Sequence, residues 1–355
     1  VATTSVSENG SVFLLARGGA SGVLDGSNTI KRASIGGSLT LGPGSNVEIA
    51  ADTVAGADGK LPATTDDVAF TASRVELSGK TIELATGASI VAPGANVRLR
   101  AESVPTYAAT NDQVSALDLP DPLLRPADPQ ARIVISDGAV VDVSGTTSTS
   151  VSAGRNFVTT ELLGANDLRD APLQRDGVLY RSRVTFDVRQ GVPILGDTAS
   201  YRRGIALTAE ERMATGGSVL LESSGAVLTH AGSRIDVSGG QVSFSDALVK
   251  PSLLTGADGA SYTLNSAPVD LRYDSLSSAS RPEYDRFGLV VQWRPANAGR
   301  LEPGYVEGRA AGAVRVIAAQ AVLDGNLQAV TVAGERQQTG VDGLAAAGRF
   351  QLGAA

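Results

Sequence analysis

The chain of 355 residues has no cysteine, one histidine, one methionine and one tryptophan. Without thiols there is no disulfide scaffold and no thiolate metal site, and a single imidazole removes most zinc, haem and Ser-His-Asp chemistry. Aromatic residues make up only 4%, so Val, Leu, Ile, Ala and Gly must fill the interior, and a thin repetitive core is expected in place of one large globular one. No run of about 18 apolar residues could cross a bilayer as a helix. The formal charge is −7 and the 30 basic residues are scattered, so the counterion-releasing stripe that binds nucleic acid is missing. Val1 to Gly10 lack the basic start and apolar stretch of a signal peptide, which reads as a cytosolic, mature or internal piece. The absence of cysteine does not favour the cytosol, because a protein exported unfolded also gains from having no crosslinks.

What the chain does contain is period-two alternation in short runs. Thr81-Ile82-Glu83-Leu84, Asn96-Val97-Arg98-Leu99, Arg132-Ile133-Val134-Ile135 and Ser218-Val219-Leu220-Leu221 each place apolar side chains on one face and polar ones on the other. Between such runs stand turn pairs: Pro43-Gly44, Ser78-Gly79, Pro93-Gly94, Asp137-Gly138 and Gly239-Gly240. Helical periodicity is nearly absent; the best candidate is the one or two turns of Thr208 to Ala214, with Thr208 as cap.

Two units repeat. Leu41 to Val54 returns as Val91 to Val104, an offset of 50 that preserves the Pro-Gly turn, the Asn and the apolar alternation. Gly138-Ala139-Val140-Val141-Asp142-Val143-Ser144-Gly145 returns as Gly232-Ser233-Arg234-Ile235-Asp236-Val237-Ser238-Gly239. Strand-plus-turn repetition without intervening helices predicts an all-β fold, a right-handed parallel β-helix (solenoid) with extra-helical insertions, whose like residues stack in columns. The organisation expected is β-helix coils over 1–104, a Pro-rich insertion over 105–130, a coil over 131–154, an insertion over 155–216, a coil over 217–244, an insertion over 245–309 and coils over 310–355.

The span from Phe157 to Tyr305, which contains the second and third insertions, holds 11 of the 15 aromatic residues and many arginines. Val184 to Val188 and Leu289 to Trp293 read as extra strands there. Tyr, Trp and Arg bury large areas at low entropic cost and are enriched where proteins bind. The candidate binding residues are therefore Tyr180, Arg181, Arg183, Tyr201, Arg202, Arg203, Tyr284, Arg286, Phe287, Trp293 and Arg294. The competing reading is that these rings fill small cores of the insertions.

Other candidates carry less. His230, alone at a corner, reads as a solvated surface residue. Asp142 and Asp236 recur at equivalent places and would suit the paired carboxyls of a glycosidase, but they recur because the repeat does, and alternation points them outward. Gly-Ala-Asp-Gly occurs at 56–59 and 256–259 and resembles a calcium turn only faintly, since calcium needs six to eight oxygens; turn chemistry is the better reading. No phosphate-binding Gly-x-x-x-x-Gly-Lys-Ser/Thr loop occurs. No catalytic residue, metal ligand or cofactor is assigned.

The unit from Gly232 to Gly240, Gly217 to Leu221, the Pro-Gly-Ala-Asn-Val turn, and the stretch from Trp293-Arg294-Pro295 to Leu323-Asp324-Gly325 resemble the repeats of filamentous haemagglutinin-like exoproteins of the two-partner secretion pathway. That resemblance implies an internal segment of a very large secreted or cell-surface bacterial protein, exported through an outer-membrane transporter partner. It implies no enzyme but an adhesin that presents a binding surface to glycans or proteins of host cells, other bacteria or matrix. The alternatives are a β-helical polysaccharide lyase or hydrolase, and a stalk for a toxin or signalling module carried elsewhere in the parent chain. The start departs from the family, for no amino-terminal secretion domain is recognisable.

Overall fold

The structure, a computed structural model, describes residues 1–24, 30–102, 128–163, 166–196, 198–277, 299–338 and 343–353. It is mostly strand with few short helices, and its parallel strands form a nearly closed sheet system. A first parallel ladder contains Ala2–Thr4, Asn46–Ala51, Ser89–Val91, Val140–Asp142, Arg234–Asp236 and Asn326–Gln328. A second contains Ser11–Leu15, Arg74–Gly79, Asn96–Ala101, residues 218–223, residues 313–318 and Arg349–Leu352. A third contains Ser38–Leu41, Thr81–Leu84, Arg132–Ile135, residues 226–229 and residues 320–323. The strands Ser218–Thr229 and Ala313–Leu323 run across the last two ladders and join them into one sheet. In sequence order the chain passes from the first ladder to the second, to the third, and back to the first.

Alternation explains how these strands pack. Neighbouring strands lie about 4.8 Å apart, so an inward residue rests on its in-register partners above and below. In the second ladder Val12, Val75, Val97, Val219, Val314 and Phe350 form one column, and Leu14, Leu77, Leu99, Leu221, Val316 and Leu352 form the next. Ile82, Ile133 and Val227 continue the pattern in the third ladder and Ile90, Val141 and Ile235 in the first. All three sets meet in one aliphatic core.

The repeated units have different fates. The copies at 138–145 and 232–239 are stacked neighbours, with Val141 paired to Ile235 and Asp142 to Asp236. The copies 50 residues apart are not: Asn46–Ala51 belongs to the first ladder and Asn96–Ala101 to the second. What they share is a local device, a Pro-Gly turn with Gly44 at φ 70° and Gly94 at φ 65°, used at two different corners. Turn chemistry is local, whereas register follows from which apolar columns can be shared.

Four connections from the first ladder to the second are enlarged: 52–73, 143–217, 237–312 and 329–348. The second and third leave earlier and return slightly later than the expected insertions 155–216 and 245–309, so Ser150–Ser152 and most of Gln241–Ser245, assigned above to coils, pair with each other outside the ladders. The excursions gather into one lateral module. Ala63–Thr64 pairs with Leu207–Thr208, and Gln241–Ser245 also pairs with Tyr305–Gly308. The expected extra strand is present as Arg183–Asp187, antiparallel to Phe157–Glu161; 289–293 and most of the Pro-rich 105–130 stretch lie outside the described residues. A second core, including Leu162, Leu179, Phe186, Leu254 and Tyr273, fills the module. The last three excursions re-enter the ladder through Gly217, Gly312 and Gly348, where backbones nearly touch: a Cβ on Gly312 would lie 1.6 Å from the Gly217 carbonyl oxygen.

The column model makes a sharp distinction between chemically identical residues. Leu221 is fully buried and Leu352, two strands further along the same column, is 60% exposed. Leu221→Ala is expected to cost about 2–5 kcal/mol and Leu352→Ala at most about 0.5 kcal/mol. Denaturant unfolding of both variants checks this; equal losses would contradict the register.

Candidate functional site

The candidate residues from the sequence fall in separate places. Tyr180 is exposed, with the Arg181 guanidinium 5.5 Å from its ring centre, and Arg181 has φ 51°, the one described non-glycine residue in the left-handed region. Arg183 is exposed on its strand opposite Glu161. Tyr201 turns inward: its ring meets Phe186 edge-on at 5.3 Å, and burial, aided by Asp167, pushes its hydroxyl pKa up. Arg202 and Arg203 are exposed in the last turn of the helix Ala199–Arg203, and the Arg203 carbonyl accepts a hydrogen bond from the Asp66 N–H at 3.1 Å. Tyr284, Arg286, Phe287, Trp293 and Arg294 lie outside the described residues. Among the described ones, then, Tyr201 is a half-buried ring packed against the second core and the others are exposed.

Arginine and rings do converge, but on other residues. Phe244 stacks on Tyr305 at 4.4 Å with planes 2° apart. Arg155 lies against the Phe244 ring, and Arg189 and Arg336 lie against that of Tyr305. Arg189 donates to Asp187 at 2.6 Å and to Glu302 at 2.8 Å, and Arg336 also reaches Glu302, at 3.0 Å. Burial by itself would lower the Arg189 pKa, but hydrogen bonds to Asp187 and Glu302 more than reverse that and raise it. This lattice is half-buried to buried and draws on three excursions, so its work is to lock the lateral module together. Its members were visible as arginines and rings, yet no local pattern singled them out.

The repeated aspartates prove to be structural too. Arg234 bridges Asp142 at 3.2 Å and Asp236 at 2.9 Å, and each carboxylate also accepts the N–H of the serine two residues on. Asp236 is buried rather than outward-facing in water, because the ion pair satisfies it. The two Gly-Ala-Asp-Gly segments form the same turn, closed by Gly59 N–H to Gly56 C=O at 2.9 Å and Gly259 N–H to Gly256 C=O at 2.8 Å. Among the described residues no group of three or more His, Cys, Asp or Glu side chains could hold a metal ion. His230 is exposed at the corner between the third and first ladders.

A cleft of about 400 Å³ opens where three excursions meet, lined by Asp66, Val68 and Phe70 from the first, Leu207 and Arg212 from the second, and Arg309 from the third. Its wall is built from the helix Ala209–Arg212, whose capping box joins the Thr208 hydroxyl to the Glu211 N–H and the Glu211 carboxylate to the Thr208 N–H. That cap holds Arg212 so that it donates to the Thr64 and Thr65 carbonyls at 2.8 and 3.0 Å, faces Asp66 at 3.6 Å and lies 5.6 Å from the Phe70 ring centre. One arginine thus pins the whole 64–70 loop. The sequence signalled the cap, but not the loop that it serves.

Comparison with known proteins adds no relative. No family model, no curated protein and no solved structure matches the chain.

The lattice makes the lateral module acid-sensitive. Burial would raise the Glu302 pKa, but hydrogen bonds from Arg189 and Arg336 outweigh it and hold the carboxyl below its ordinary value. Its stabilisation is therefore complete above about pH 4.3 and is lost as the pH falls through the depressed folded value. Hydrogen-exchange protection factors over residues 300–308, taken relative to intrinsic rates, should fall below about pH 4; Glu302→Gln should lower protection at neutral pH and flatten this acid limb. An acid limb unchanged in the variant would contradict the assignment.

Proposed function

We propose that this chain is a stretch of right-handed parallel β-helix from a large secreted bacterial exoprotein of the filamentous haemagglutinin-like kind, and that its work is structural and adhesive. The observation that carries the reading is the recurring passage through three parallel ladders around one aliphatic core, with four connections enlarged into a module on the same side. A scaffold of this kind is stiff along its ladders, because each strand hydrogen-bonds to the next and each inward residue is held by its column. It can project a lateral surface far from an envelope while spending few residues on bulky core packing. Insertions from one face of a repetitive scaffold are where such proteins place recognition.

The chemistry of the chain suits that role. With no cysteine and a net charge of −7, the polypeptide can be threaded unfolded through an outer-membrane transporter without crosslinks to block it, and it stays soluble outside. The surface partner is a glycan or protein of another cell or of matrix, met by the lateral module.

Beads coated with the chain test the reading. They should adhere saturably to epithelial or bacterial cells, and soluble chain should compete them off. Absence of adhesion, or release of unsaturated products from polygalacturonate or another acidic glycan by the purified chain, would overturn it in favour of a lyase.

A further inference from the structure

We infer that the cleft between the 64–70 loop, the helix Ala209–Arg212 and Arg309 binds a neutral pyranose sugar, with Phe70 as its stacking platform and Asp66 as its hydroxyl acceptor. The inference rests on the adhesive reading only in supposing that the lateral module meets a ligand. It starts from which groups in the cleft are already committed. Glu211 is held by Arg155 at 2.5 Å and by the Thr208 N–H. Arg212 spends its terminal nitrogens on Thr64, Thr65 and Asp66 and covers one side of Phe70. Arg309 is paired with Glu307. These groups are walls.

What is left over faces the opening. The Asp66 side chain is 48% exposed, and Arg212 at 3.6 Å is its one ion-pair partner among the described residues; two carboxylate oxygens offer about four acceptor sites, more than that contact uses. Phe70 is only half-buried, and Val68 beside it is exposed, which extends the ring into an apolar ledge. The lining carries two carboxylates, Asp66 and Glu211, and two guanidiniums, Arg212 and Arg309, so the charges cancel and neither an anion nor a cation is favoured. A ligand that matches an apolar ledge beside a strong acceptor, at zero net charge, has a hydrophobic face and a rim of hydroxyl donors. A pyranose ring is that shape: its axial C–H groups lie flat on an aromatic face while its equatorial hydroxyls point outward to carboxylate oxygens. The volume of about 400 Å³ falls within the usual range for small-ligand pockets, about 300–1,000 Å³.

Saturation-transfer NMR on the whole chain provides the test, with the methyl glycosides of glucose, galactose, mannose and N-acetylglucosamine as probes and methyl glucuronide as the charged comparison. At least one neutral glycoside should show transfer to its ring C–H protons. Phe70→Ala should weaken that binding about tenfold, Phe70→Trp should retain it, and Asp66→Asn should weaken it several-fold, while Leu352→Ala, at an exposed strand residue remote in sequence from the cleft, changes nothing. Circular dichroism and thermal unfolding of each variant separate loss of binding from loss of the fold; if Phe70→Ala unfolds, Asp66→Asn and Phe70→Trp decide. Transfer to no neutral glycoside, a preference for the glucuronide, or binding indifferent to both positions overturns the site. Bead adhesion without transfer to any glycoside refutes the cleft while leaving the adhesive reading intact, and sugar binding without bead adhesion does the reverse.

Discussion

Every other feature depends on the vertical stacking of aliphatic side chains in register. A valine or leucine buried in one strand is covered by its counterparts in the strands on either side as well as by the facing ladders, so burial is cooperative along the ladder. This is why the core can be thin and poor in rings. Each column needs a small, well-shaped aliphatic residue at one position per strand, and Val75, Val97 and Val219 or Leu77, Leu99 and Leu221 provide it with near-total burial. The same rule accounts for the last strand, where Phe350 and Leu352 remain exposed because nothing described lies beyond them.

A stacked core restricts where chain can be added. An insertion inside a strand would break the column, whereas an insertion between two ladders leaves both intact. The large excursions from the first ladder to the second use that freedom, and glycines at the points of return let backbones pass at contact distance. Once four excursions share one side they can pack on each other, and rings that the ladder interior has no room for are used there. Phe186 and Tyr273 fill the second core, while Phe244 and Tyr305 stack between arginines. The lateral module is therefore a globular body in its chemistry, dependent on the ladders for its placement. Its buried charges are paired several ways at once, as burial requires.

Legibility followed the range of the interaction. Alternating runs, Gly turns, the Thr208 cap and the repeat from 138 to 145 could be read because each is decided within a dozen residues. The likeness between 41–54 and 91–104 was equally visible and misleading, since a strand-turn-strand string does not say which ladder it joins. Among the candidate binding residues, Tyr201 was drawn into a core by Phe186, 15 positions away in sequence and on another element, and alternation gives no hint of that. Asp142 and Asp236 were read as recurrent and outward-pointing, and the burial of Asp236 was missed because the bridging Arg234 is visible only once the strands are stacked.

By itself the amino-acid order determined strand character, turn positions, the aliphatic make-up of the interior and the absence of thiol chemistry, all of which follow from side-chain shape and from conformations available to a few consecutive residues. Tertiary structure alone decided which strands are neighbours, that four excursions form one module, and that Asp66, Phe70, Arg212 and Arg309 border a single cleft. The physical reason is separation along the chain. Arg212 reaches Thr64 across 148 residues and Asn156 reaches Tyr305 across 149, and contacts of that span exist only after the ladders have brought distant corners side by side.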